Sequence, residues 1–157
     1  MNADSAHVAP PLSAPRRPDG YLLLRAGALL FGASLLNGFV IQATKLPRLA
    51  LSAHLVGLFG AAFLFALAGV WTHLAIAPRT SRIAVALAIY GFVVGWLLYL
   101  TAAVTGVAGL FPMAGAGARG TAVVEAMMST ALLTVAVALF GLASVLWRHA
   151  RVSRSLS

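Results

Sequence analysis

The sequence predicts an all-α integral membrane protein, an antiparallel four-helix bundle, and three observations carry that reading. First, the 157 residues are 61% hydrophobic and only 9% charged, against roughly 25% charged residues in an ordinary soluble domain. Second, the apolar residues gather in four blocks, each long enough for a hydrocarbon layer that takes about 20 residues of helix to cross. Third, the breaks between blocks are short, and each holds a proline and at least one cation. Short connections force successive helices to run antiparallel. Strands are excluded, because backbone amides in lipid must be satisfied and four strands cannot close a barrel.

The elements follow in order. Residues 1–20, MNADSAHVAPPLSAPRRPDG, are rich in Pro, Ala and Ser and have no apolar core. They are expected to form a disordered cytoplasmic tail rather than a signal peptide, which leaves the first span as an uncleaved anchor. The transmembrane domain is expected over 21–147, with spans at 21–43, 51–77, 83–110 and 122–147. TKLPR, APRTSR and FPMAGAGARG separate them, and 148–157 is a basic cytoplasmic tail. Gly27, Gly32 and Gly38 in span one, with Gly57, Gly60 and Gly69 in span two, read as points of close helix approach.

The net charge of +8 is topological. Arg16, Arg17, Arg79, Arg82, Arg148, Arg151 and Arg154 fall on one side of the spans, and Lys45, Arg48 and Arg119 on the other. Arg25 can snorkel to the first side. The bias predicts cytoplasmic termini in a multi-pass protein of the inner membrane. Nothing resembles the basic patch with interleaved aromatics that nucleic acid requires. The absence of cysteine excludes disulfides and thiolate ligands. No internal repeat or charged pathway points to a transporter.

An ionisable group inside lipid costs at least about 2.5 to 3.5 kcal/mol when charged, so each is a functional candidate. Here they are His54, His73, Glu125 and, at the margin, Arg25. His73 lies about 28 Å from His54 at 1.5 Å per helical residue, so the two cannot share a ligand. Beside Trp71, it reads as an interfacial residue. His54 has two readings: donor to a neighbouring helix carbonyl, or axial ligand of a haem iron with small residues leaving room for a flat ring. Glu125 is either a carboxylate favoured by its helix N-terminus or a group that passes a proton. Polar neutral candidates include Ser34, Asn37, Gln42, Tyr99 and Thr105. His54, Glu125, Gln42 and Thr105 all fall toward the non-cytoplasmic end, where one layer of the bundle is expected to gather them.

PRLALSAHLVGLFGAAFLFALAGVW, LAIYGFVVGWLLYLTAAVTG and FPMAGAGARGTAVVEAMMSTALL, together spanning about residues 47–141, resemble the hydroxylaminobenzene mutase family of small membrane proteins. More distantly, the chain is similar to styrene oxide isomerase, a four-span enzyme. That resemblance implies haem b bound through His54 and an active-site tyrosine at Tyr99. The mutase resemblance implies an isomerase that turns a small apolar aryl hydroxylamine into an aminophenol; with iron as Lewis acid, Glu125 is then the candidate proton relay. It also implies a homo-oligomer. The chain departs from the pattern at Gly60 and Gly95, where the families carry asparagine, and at Val56, where the mutases carry an acid. Those departures keep open a second reading, a non-catalytic haem-binding or accessory membrane protein.

Overall fold

The computed structural model describes residues 18–74, 76–115 and 117–154. The expected N-terminal tail lies outside them, apart from 18–20, which open the first helix. Four long helices run in sequence: α1 (Pro18–Val40), α2 (Pro47–Val70), α3 (Pro78–Thr105) and α4 (Ala122–Arg154). With their closing turns, the segments Pro18–Ala43, Pro47–His73, Pro78–Thr105 and Ala122–His149 are each long and apolar enough to cross a membrane.

Helix ends are set by local chemistry more than by hydropathy, which is where the expected bounds shift. α2 and α3 both start with a proline in their first turn, a position that suits a residue with fixed φ and no N–H to leave unpaired. α2 therefore begins at Pro47, one turn before the apolar run at Leu51, and α3 begins at Pro78 rather than 83. α3 stops at Gly106, whose φ of 80° and N–H bond to the Ala102 carbonyl make a left-handed cap. The segment 106–110, expected in span three, belongs to the connecting loop. α1 and α2 tighten into single 3-10 turns at Ile41–Ala43 and Trp71–His73. α4 continues to Arg154, so the expected basic tail is largely helical.

α1, α2 and α3 form a wedge in which α1 and α2 share the most extensive contact, and α4 approaches α3 alone among the described residues. The core is divided between the two ends of the bundle. At the end where α1 starts, Leu23, Leu64, Leu67, Trp71 and Val85 pack together. At the opposite end, Leu49, Ala50, Ala102, Ala103, Ala108 and Met128 form a second cluster. Phe59, Leu133, Val137 and Phe140 are exposed, as expected for faces turned to lipid.

Candidate functional site

His54 stands two turns into α2, and the side chain reaches across to α1. Its Nδ1 lies 2.7 Å from the Ser34 carbonyl oxygen. A carbonyl can only accept, so Nδ1 carries the hydrogen, and in the neutral ring that tautomer leaves the lone pair on Nε2. The ring rests against Gly38, where a methyl group would lie 2.9 Å from His54 Cε1. In return, the fully buried Ser34 side chain fills the space over Gly57, where a methyl group would overlap Ser34 Oγ and lie 2.7 Å from Trp96 Cδ1. Asn37, one turn from Ser34 on α1, donates from Nδ2 to the Ala50 carbonyl at 3.1 Å. Ser34 Oγ, Asn37 Oδ1 and Trp96 Nε1 are buried without a hydrogen-bond partner, so the α1–α2–α3 seam holds a polar layer in an otherwise apolar interior.

The donor-to-carbonyl reading of His54 is therefore realised, and it does not oppose the ligand reading. Metal-bound histidines usually donate their second ring N–H to a carbonyl or carboxylate, which fixes the tautomer. The donor set fits a single axial imidazole.

Tyr99 belongs to a different place. Its ring packs on Phe111 with centroids 4.5 Å apart. It also lines an apolar groove of about 430 Å³ between α2, α3 and α4, with Val56, Phe59, Gly60, Phe63, Phe92 and Gly95 among the walls. The groove is within the usual range for small-molecule sites, about 300 to 1,000 Å³. All three positions at which the chain departs from the family pattern line it together with Tyr99. At 3.6 residues per turn, Val56 and Phe63 stand roughly opposite His54 on α2. His54 and Tyr99 thus occupy opposite flanks of that helix.

Glu125 stands apart from both. Its Oε1 accepts the Gly120 N–H at 2.8 Å, and the carboxylate lies where a side chain at Gly109 would collide with it. It braces the α3–α4 loop. Thr105 Oγ1 bonds the Thr101 carbonyl at 2.7 Å, Lys45 Nζ donates to the Thr105 carbonyl at 3.3 Å, and Gln42 is exposed. The expected single layer of His54, Glu125, Gln42 and Thr105 does not form; the four share one end of the bundle and have separate surroundings. His73 is exposed, while its neighbour Trp71 is buried and donates to Ser81 Oγ at 3.1 Å. Among the described residues, no group of three His, Asp or Glu side chains is placed to hold a metal ion. Trp96 was missed in the sequence; the Ser34 to Gly38 spacing, small residues four apart, was the available signal for the seam.

Comparison with known proteins gives the following. A family model described as styrene oxide isomerase matches residues 20–151. Hydroxylaminobenzene mutase HabB of Ectopseudomonas oleovorans is 36% identical over 131 residues, covering 78% of this chain and 80% of that protein. Hydroxylaminobenzene mutase HabA of the same organism is 29% identical over 119 residues, covering 75% of this chain and 88% of that protein. No solved structure matches.

Proposed function

The chain belongs to the styrene oxide isomerase family, and from that premise we propose that this multi-pass membrane protein is an isomerase of the hydroxylaminobenzene mutase type. The reaction is the rearrangement of a small apolar aryl hydroxylamine to an aminophenol. The N–O bond breaks, a C–O bond forms on the ring, and a ring proton passes to nitrogen, so atoms and electrons balance within the substrate. The observation that carries the proposal is the groove: an apolar, aromatic-walled space with Tyr99 in its lining, set between helices that cross the membrane. A substrate dissolved in the bilayer enters it without crossing water.

His54 Nε2 would hold haem b, which would supply Lewis-acid chemistry at the N–O oxygen. The chain does the rest. The Ser34 carbonyl holds His54 in the tautomer that leaves Nε2 free, Phe59, Phe63 and Phe92 keep water from the substrate ring, and Tyr99 orients the reacting bond. Glu125 holds the Gly120 N–H and with it the α3–α4 loop, and a proton relay at this carboxylate is the alternative that Glu125→Gln tests. Because His54 and Tyr99 stand on opposite flanks of α2, their joint action requires two copies of the chain, and the proposal includes a homo-oligomer. The termini are proposed to be cytoplasmic and the membrane the inner one, from the cation bias.

An absorbance spectrum of the detergent-purified protein, followed by turnover of phenylhydroxylamine, tests the proposal. A Soret band that is lost in His54→Ala and kept in His73→Ala, with aminophenol formed by the wild type, is the expected result. Tyr99→Phe should lower turnover roughly tenfold, about 1.4 kcal/mol or one hydrogen bond to the transition state. Turnover without a Soret band would remove haem and keep the isomerase. A second reading, non-catalytic haem binding, is favoured by the hydrocarbon lining at Val56, Gly60 and Gly95. It predicts the Soret band without aminophenol.

A further inference from the structure

The contact between α1 and α2 is a reciprocal interlock of two side chains with two glycines. Ser34 and Gly38 are four residues apart on α1 and share a face; His54 and Gly57 lie three apart on α2. The Ser34 side chain occupies the space over Gly57, and the His54 imidazole occupies the space over Gly38. Between the two, His54 Nδ1 donates to the Ser34 carbonyl at 2.7 Å. Small residues at this spacing let helix backbones approach closely. Here the close approach does something more specific: it brings a backbone carbonyl of α1 within hydrogen-bond distance of a side chain of α2.

We infer that Gly38 is the positioning residue for His54, its missing side chain forming the slot that seats the imidazole so that the Ser34 carbonyl fixes the Nδ1–H tautomer and Nε2 is presented. The inference rests on the proposed ligand role of His54 and deepens it. A methyl group at Gly38 would lie 2.9 Å from His54 Cε1 and 3.1 Å from Nδ1, so the ring must shift from the position in which it makes its hydrogen bond. The other glycines of α1 do not face His54; Gly27 packs on Phe65, where a methyl group would lie 2.9 Å from the ring. At Gly32 a methyl group meets nothing within 4 Å, so Gly32→Ala makes the same chemical change on the same helix without touching the ring.

The test has two arms. In the first, full-length protein labelled with 15N-histidine and prepared without haem is examined by NMR, with the His54 signals assigned by their loss in His54→Ala. Wild type and Gly32→Ala should show Nδ1 protonated and Nε2 bare. Gly38→Ala should show a mixture of tautomers. An Nε2–H tautomer in the wild type overturns the inference whatever the variants do, including the case in which Gly38→Ala fails to fold. In the second arm, haemin is titrated into each protein. Gly38→Ala should bind roughly 10- to 100-fold more weakly, the usual cost of losing a partner that orients a ligand, and Gly32→Ala should match the wild type. Wild-type affinity in a folded Gly38→Ala also overturns the inference. If the wild type binds no haemin, the ligand reading of His54 falls, and the tautomers of Gly38→Ala and wild type alone decide whether Gly38 seats the ring.

Discussion

Gly60 and Gly95 both line the groove, yet they differ sharply in what a side chain would meet. At Gly95 the nearest atom to an added methyl is Val135 Cγ1 at 3.6 Å, an ordinary contact. At Gly60 it would lie 3.0 Å from Phe92 Cδ1 and 3.2 Å from Leu30 Cδ2, between α1 and α3. Restoring an asparagine is therefore possible at one position and obstructed at the other. Gly95→Asn should fold with an unchanged melting temperature in detergent and add a polar group to the groove, raising turnover of phenylhydroxylamine. Gly60→Asn should lose about 1 to 3 kcal/mol, the usual cost of overpacking, visible as a lower melting temperature. Equal melting temperatures for the two variants would contradict this account of α2 packing.

Individual helices are joined by a few polar contacts, and these are open to test. Trp71 Nε1 donates to Ser81 Oγ, and Ser81 in turn donates to Asp19, so a single hydroxyl links the start of α1, the end of α2 and the start of α3. Ser81→Ala leaves the buried indole N–H unpaired, at about 1 to 3 kcal/mol, and should lower the melting temperature without altering a haem spectrum. α4 is held to α3 in part by Tyr90, which donates to Thr134 Oγ1 at 2.7 Å while Thr134 donates to the Ala131 carbonyl. The α3–α4 loop depends on Glu125. Glu125→Gln keeps an acceptor oxygen for the Gly120 N–H and should retain both stability and turnover; Glu125→Ala should lose stability. Loss of turnover in a stable Glu125→Gln would instead establish the proton relay.

For the whole molecule, the cation bias fixes an expected orientation. Reporter fusions after Ser157 and within residues 115–120 should report opposite sides of the membrane, with the C-terminal fusion cytoplasmic. Matching sides would be incompatible with the four-span arrangement. The open side of the groove follows from the same architecture: among the described helices α4 approaches α3 alone, so α2 and α4 leave between them the space that Tyr99, Gly60 and Gly95 line.

The sequence by itself determined the class of the protein, since four apolar blocks whose cations lie almost entirely between and beyond them have no stable arrangement in lipid other than helices. It also singled out His54 and Glu125, because ionisable groups are conspicuous where burial makes them costly, while Tyr99 was distinguished from other polar residues only by the family resemblance. Helix ends were less legible: Pro47, Pro78 and Gly106 override hydropathy, which changes smoothly while a cap acts at one residue. What only the tertiary structure decided is the partner of each polar group. Periodicity places His54 on a flank of α2 but does not say that α1 lies there, that Ser34 offers a carbonyl at 2.7 Å, or that Gly38 leaves room for the ring. Nor does it part Glu125 from His54, which share an end of the bundle and little else. Such distances depend on how closely two backbones approach, and that is set by the shapes of side chains from both helices at once.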